Sequence, residues 1–288
     1  MTPAQTLFET RRPAMTGLAY RMLGSRADAE DVVQDAWLRW RKVETTRVED
    51  GAAFLNRVVA RLCLDRLKSA RARREVYVGE WLPEPVVEED FDAVPGELDA
   101  DLSVAFLLAL ERLTPLERAA FLLHDVFDTP FAEIAKTLGR GEAACRQLAA
   151  RARQHVREER PRYRPSVDEE RSLTTAFLLA AMTGDEVSPR NLLTPDVVWH
   201  ADGGGKVSAT LNPVYGLDNA VRLILGIQKK WPPPEGATAR LARINGQPGI
   251  VLSHEDVVFQ TIGLELVDGR IAAVYTMRNP DKLARLNS

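Results

Sequence analysis

Arg146, Gln147, Arg151 and Arg153 stand outside the apolar stripe Ala144, Cys145, Leu148, Ala152 of the run GEAACRQLAARARQHV. Arg suits guanine edges, Gln suits adenine, and further Arg suits phosphates, so this set is the chemistry of a helix reading a major groove. A second concentration lies at 54–74, where Arg57, Arg61, Arg66, Lys68, Arg71, Arg73 and Arg74 face one acid, Asp65. That density favours phosphate contact through counterion release. A third group is acidic: Asp31, Gln34 and Asp35 share the outer side of the run DAEDVVQDAWLRW. Acids repel phosphates, so beside two basic elements this face fits a protein partner with a basic helix. Each group also has a plainer reading. Three-helix domains share the spacing without touching DNA, and charged helix faces are ordinarily just solvated.

Enzyme signatures are sparse. His124, His155, His200 and His254 lack metal-ligand spacing, and no Gly-x-Ser-x-Gly elbow is present. The run Gly203-Gly204-Gly205-Lys206 resembles a phosphate loop, but His200 stands where a Walker loop needs its first glycine. A tight glycine turn is the better reading. His200, Asp202, His254 and Asp256 are candidate acid/base groups only if the fold brings them into one pocket. Cys63 and Cys145 each sit in an apolar helical pattern and read as buried thiols of a reducing compartment. No catalytic residue, metal or cofactor is expected.

The elements that carry these residues follow from periodicity. Residues 3–75 read as three helices, broken at Gly24-Ser25, with Val32, Val33, Ala36, Trp37 and Trp40 on one inner stripe and Phe54, Leu55, Val58, Val59, Leu62, Cys63 and Leu67 on another. Trp37, Trp40 and Phe54 offer stacking surfaces for unpaired bases, but their helical spacing marks them as core. Residues 102–160 return to helix: Thr114-Pro115 opens one, and Ile134, Leu138 and Gly139 lead into the helix-turn-helix pattern. From about 170 a helix RSLTTAFLLAAMTGD precedes the strand-like runs DVVWHAD, KVSATL, ATARLARI, GIVLSHEDVVFQTIGLELV and RIAAVYTMR, interrupted by the helix LDNAVRLILGIQKKW. Helix followed by curved antiparallel strands predicts an α+β roll.

The length of 288 residues implies two or three domains, and 45% hydrophobic with 27% charged residues excludes disordered and fibrous classes. No leader and no bilayer-spanning stretch is visible, so a cytoplasmic chain with no membrane partner is expected. The net charge of -3 conceals an asymmetry: residues 1–75 carry +5, 76–101 carry -9 and 102–165 carry +3. Two basic bodies flank an acidic strap that is rich in Pro and Gly and yet contains Trp81-Leu82. A docked Trp removes on the order of 200 Å² from water, so this pair should be buried, with the C-terminal domain the nearest surface.

Taken together, these residues resemble a bacterial RNA polymerase sigma factor of the extracytoplasmic-function type. The segment 28–40 is similar to the region that binds core RNA polymerase, which implies polymerase contacts at Asp31, Gln34 and Asp35. The segment 52–75 resembles the region that opens and reads the -10 element, implying Arg57, Arg61, Arg66, Lys68 and Arg71. The segment 131–157 resembles the region that reads the -35 element, implying Arg140, Arg146, Gln147, Arg151 and Arg153. Three short signatures resemble the SigJ-like group with a SnoaL-like, nuclear-transport-factor-2-like extension. They are Trp81-Leu82-Pro83-Glu84-Pro85, Asp202-Gly203-Gly204-Gly205-Lys206 and Asn279-Pro280-Asp281-Lys282-Leu283. In that group the extension implies regulation in cis through these residues, and the acidic strap is expected to pass through the polymerase channel that later holds RNA.

The expected architecture is multidomain: two all-α sigma domains at 1–75 and 102–163, the second with a helix-turn-helix, an acidic linker at 76–101, and an α+β SnoaL-like roll at 170–288. Asn279 is expected to cap a short last helix, and Pro189 to shorten the roll's second helix. The expected partners are core RNA polymerase and promoter DNA, with a small-molecule ligand in the C-terminal domain as an open option and a monomer as the free state. Two other classes compete: a one-component DNA-binding regulator that senses a small molecule, and an enzyme such as a cyclase or isomerase carried on a DNA-binding module.

Overall fold

The computed structural model describes residues 2–43, 48–92, 102–157, 165–184 and 186–287, without the side chains of 69–75 and 157. The strap residues 93–101 and the side chains of Arg71, Arg73 and Arg74 therefore lie outside the described residues. The chain divides into two compact units, 1–75 with 105–160, and 76–104 with 161–288.

The first unit is helical. α1 (Pro3–Leu23) starts in a capping box between Thr2 and Gln5 and stops at Gly24, whose φ of 69° takes the left-handed region that a helix C-terminus favours. α2 (Arg26–Trp40) is capped by Ser25, whose hydroxyl accepts from the Asp28 amide. α3 (Gly51–Glu75) starts where the Asp50 carboxylate accepts from the Ala52 and Ala53 amides. Phe8, Met15, Leu18, Val32, Val33, Ala36, Leu55, Val59 and Cys63 are buried between these three helices. Trp40 is core, buried with its indole donating to the Ala4 carbonyl, and the half-buried Trp37 packs on Phe8 at 4.9 Å.

α4 (Val104–Glu111) and α5 (Pro115–Phe121) follow, the latter opened by a Thr114/Glu117 capping box and continued by a π-helical turn over Leu122–Val126. α6 (Phe131–Leu138) and α7 (Glu142–Arg157) flank the left-handed Gly139 and make the helix-turn-helix. Ile134, Cys145, Ala149, Ala152 and Val156 form its inner stripe.

The second unit carries α8 (Val167–Thr183) and the six-residue α9 (Val187–Leu192), which contains Pro189. Then come β2 (Leu193–Asp202), β3 (Val214–Tyr215), α10 (Leu217–Lys230), β4 (Thr238–Ile244), β5 (Gln247–His254), β6 (Val257–Val267), β7 (Arg270–Met277) and α11 (Pro280–Leu283). Phe177, Trp199, Val221, Ile224, Ile250, Leu264 and Val274 form its core. The sheet order is β1-β4-β5-β6-β7-β2-β3, where β1 is the linker pair Val87–Glu88.

Three features differ from the sequence expectation. The run KVSATL is not a strand: Gly203 O accepts from the Lys206 and Val207 amides, and this turn consumes the backbone groups a ladder would need. The sheet is not wholly antiparallel, because β2 and β7 run parallel. They are far apart in sequence, and no hairpin dictates their direction. Finally, the linker contributes a strand. Val87 pairs with Ile244 and Glu88 with Arg243, covering the free edge of β4.

Candidate functional site

The acidic face is built by α2 alone. Asp31 and Gln34 are exposed and Asp35 is half-buried. Arg66 of α3 lies against the same row, 3.0 Å from Asp28, 3.4 Å from Asp31 and 3.6 Å from Asp35. Arg66, expected among the -10 contacts, lies against the acidic face.

The other α3 bases point elsewhere. Arg57 pairs with Glu133 of α6 at 3.6 Å. Arg61 donates to the Lys136 and Thr137 carbonyls at 2.6 and 3.0 Å, at the C-terminal end of α6, where carbonyls lack helical partners and the dipole is negative. Arg118 of α5 does the reverse. Its buried guanidinium donates to the Met22 carbonyl in the last turn of α1 and pairs with Glu111 at 2.7 Å. Burial pushes the Arg118 guanidinium down to about 10. The two helical bodies are thus joined by reciprocal arginine caps. Lys68 stays outward, bonded only loosely into the fold through exposed Asp65.

On α7, Gln147 is exposed, as is Arg140 just before the helix. Arg146 is more than half exposed, pairs with Glu142 at 2.7 Å, and lies 5.3 Å from the Phe131 ring. Arg151 and Arg153 tie α7 to its own domain, through Glu117 at 2.9 Å and Asp125 at 2.5 Å. Burial pushes the Glu117 carboxyl up, but the bonds from Thr114 and the Arg151 charge outweigh it, and the group is held below its usual range.

The three signatures of the second unit converge on Asp202, whose carboxylate is fully buried. Its Oδ1 accepts from the Tyr77 hydroxyl at 2.6 Å and the Gly204 amide at 2.9 Å. Its Oδ2 accepts from the Leu82 amide at 2.9 Å and the Lys282 ammonium at 2.6 Å. Lys282 also donates to the Leu82 carbonyl at 2.5 Å and lies 4.3 Å from the Trp81 ring centroid. Leu82 and Pro83 are buried. Asn279 caps α11 through the Asp281 amide and donates its side-chain amide to Tyr77 Oη at 2.7 Å. Burial first, and then the Asp202 carboxylate, raise the Tyr77 hydroxyl, so it remains a donor. Leu283 is buried behind this cluster, and Lys206 pairs with Asp281 at 2.6 Å on the surface.

Glycine is required here. Gly204 has φ 61°, and a Cβ on it would sit 2.4 Å from the Asn279 amide, while a Cβ on Gly203 would sit 2.3 Å from the Val207 carbonyl oxygen. Two residues of this cluster were not singled out in the sequence. Tyr77 and Glu80 precede the Trp81-Leu82 pair, and Glu80 bonds His200 Nδ1 at 2.6 Å while the His200 ring stacks on Tyr275. Their signal is slight: a Tyr and a Glu within five residues of the half-buried Trp81 in a strap.

The acid/base candidates do not meet. His200 partners Glu80, and Asp202 is consumed by the linker. His254 takes the Glu235 carbonyl, and Asp256 lies in the β5–β6 turn. Among the described residues no group of three or more His, Cys, Asp or Glu could hold a metal ion, and no described helix is long and apolar enough to cross a membrane.

Residues 7–73 match the family Sigma-70 region 2, and residues 103–156 match Sigma-70, region 4. The chain is 40% identical over 286 residues to the ECF RNA polymerase sigma factor SigJ of Mycobacterium tuberculosis (strain ATCC 25618 / H37Rv), covering 96% of this chain and 91% of that one. It is 31% identical to a chain of the same strain described as a probable ECF RNA polymerase sigma factor, SigI, over 99% of this chain and 97% of the relative. The crystal structure of M. tuberculosis SigJ matches with a TM-score of 0.77 at 36% identity, covering 97% of this chain and 98% of that one. With both sigma regions in order and a relative of this similarity along nearly the whole length, the chain belongs to the extracytoplasmic-function RNA polymerase sigma factors, which bind core polymerase and direct promoter-specific initiation, and within them to the SigJ-like group with an α+β extension.

Proposed function

We propose that the C-terminal roll restrains this sigma factor in cis by holding the linker, and that engagement with core polymerase draws the linker off. The observation that carries this reading is the buried Asp202 carboxylate, which spends three of its four bonds on the linker and on the lysine that clasps it. A strap bound through Tyr77, Leu82 and the β1 edge pairing is not free to run as an extended acidic segment through a polymerase channel.

The assignments within the helical unit follow the same logic. Asp31, Gln34 and Asp35 meet core polymerase from the outward side of α2, where Asp31 and Gln34 are exposed and Asp35 is half-buried. Arg57, Arg61, Lys68 and Arg71 serve the -10 element, with Arg57 and Arg61 released from α6 before they reach DNA. Arg140, Arg146 and Gln147 reach -35 base edges and phosphates from the exposed side of the helix-turn-helix. Arg151 and Arg153 act at phosphates from positions already anchored by Glu117 and Asp125. The family's activity is binding and positioning rather than catalysis.

Run-off transcription with core polymerase tests the restraint. Lys282→Met, which loosens the linker, should give more transcript than the wild type at equal sigma concentration. Unchanged or lower output from a folded Lys282→Met chain would count against restraint by docking.

A further inference from the structure

Asp28, Asp31 and Asp35 occupy positions i, i+3 and i+7 of α2, one row about 10 Å long at 1.5 Å per residue. Like charges one turn apart destabilise a helix, and the dipole that favours Asp28 in the first turn offers nothing to Asp35. The row therefore needs a cation. Arg66 supplies it from α3: Nη1 lies 3.0 Å from Asp28 and 3.4 Å from Asp31, and Nη2 lies 3.6 Å from Asp35. A planar guanidinium can span several carboxylates, which a point-like ammonium cannot.

We infer that Arg66 is a positioning residue of the polymerase-binding face: it holds the α2 acids in a fixed row for the partner and is not a promoter contact. Exposure separates the roles. The Arg66 side chain is 28% exposed, whereas Asp31 is 64% and Asp35 48% exposed, so the acids keep outward oxygens while their cation sits behind them. Burial pulls the guanidinium down, but Asp28 and Asp31 outweigh it, and its affinity for the proton is raised. A phosphate approaching Arg66 would be repelled by the more exposed Asp31 and Asp35 beside it. Counting Arg66 against Asp28, Asp31 and Asp35 alone, these four side chains keep a net charge of about -2, still attractive to a basic partner helix. This inference rests on the reading of Asp31 and Asp35 as polymerase contacts.

The test uses the full chain carrying Arg66→Gln, Arg66→Lys, Asp31→Asn, Asp35→Asn, and Arg66→Gln with Asp35→Asn. Affinity for core polymerase and promoter affinity of the preassembled holoenzyme are measured separately, with a melting curve for each variant. Arg66→Gln should weaken core binding about fivefold, the scale of a few partly exposed ion pairs. Arg66→Lys should fall between it and the wild type, and promoter affinity of the saturated holoenzyme should not change. The Arg66→Gln/Asp35→Asn chain should lose less than the product of the single losses, because one change acts through the other. Unchanged core affinity with weakened promoter binding would make Arg66 a DNA contact and overturn the inference. Multiplicative losses, or equal losses for Gln and Lys that track a lowered melting temperature, would overturn it as well. If Asp31→Asn and Asp35→Asn both leave core affinity unchanged, the polymerase-face reading itself falls, whatever Arg66 does.

Discussion

Lys282→Met removes the one full positive charge that bonds the Asp202 carboxylate among the described residues, and leaves the rest of the cluster in place. The loss has three parts: the 2.6 Å ion pair, the 2.5 Å bond to the Leu82 carbonyl, and the ammonium 4.3 Å from the Trp81 ring. Breaking a buried pair from one side costs about 3–5 kcal/mol, because the remaining charge stays buried. Here Tyr77, Leu82 and Gly204 still donate to Asp202, and the methionine chain refills the space over Trp81, so the lower end, about 3 kcal/mol, applies. For a unit of this size each kcal/mol moves the midpoint by roughly 2–4 °C, giving a drop on the order of 6–12 °C. Scanning calorimetry of the full chain reads this as a shift of one transition, since the helical unit keeps all its contacts. Pairing Lys282→Met with Asp202→Asn should recover part of the loss, because the orphaned charge is gone. A drop below about 1 °C for the single variant, or a double variant worse than the additive expectation, would refute the claim that a buried ion pair holds the linker.

Other outcomes follow from the same geometry. Gly204→Ala should destabilise the roll by about 1–3 kcal/mol in chemical denaturation, since it combines a left-handed backbone with a contact at 2.4 Å that must open. Arg118→Met should lower the midpoint of the helical unit, because the Met22 carbonyl and Glu111 lose a buried donor, and tryptophan fluorescence of Trp37 and Trp40 follows it. Arg146→Ala should weaken binding to DNA carrying the -35 element by roughly 1–3 kcal/mol if it reads a base, with equal loss on all sequences if it touches only phosphate. Glu117 is held below its usual range, so its contribution is full above its unfolded value and fades as pH falls through the carboxylate range. Glu117→Gln should flatten that acid limb of the melting-temperature profile.

Much of the helical half was legible because its signals are local. Ser25 before Asp28, Thr114 before Pro115 and Gly139 between two apolar stripes each fix a helix boundary without long-range information. The clasp was legible in part. An acidic strap with Trp81-Leu82 in it was expected to bury that pair, and the fold buries Leu82 while Trp81 stays half-buried; Asn279 before Pro280 caps the last helix as expected. Asp202 was marked by its signature and as an acid/base candidate, but its place as the buried centre of the clasp was not legible. Only the parallel pairing of β2 with β7 brings it to Asn279 and Lys282, and that pairing is a long-range fact. KVSATL, alternating in polarity, imitates a strand even beside the expected glycine turn, because nothing in sequence shows that the Lys206 and Val207 amides are drawn into that turn. The placements of Arg57, Arg61 and Arg66 were equally hidden. A basic helix looks like a uniform phosphate surface, and only packing shows that one arginine serves an acidic row and two hold the next domain.

Hydrogen exchange of the Leu82 and Val86 amides, in the free chain and in the assembled holoenzyme, tests the restraint most directly. Leu82 donates to Asp202 and Val86 to Asn245, so both should exchange slowly in the free chain and quickly once core polymerase is bound. Slow exchange persisting in a transcriptionally active holoenzyme, or fast exchange already in the free chain, would contradict the idea that the roll holds the strap until polymerase takes it.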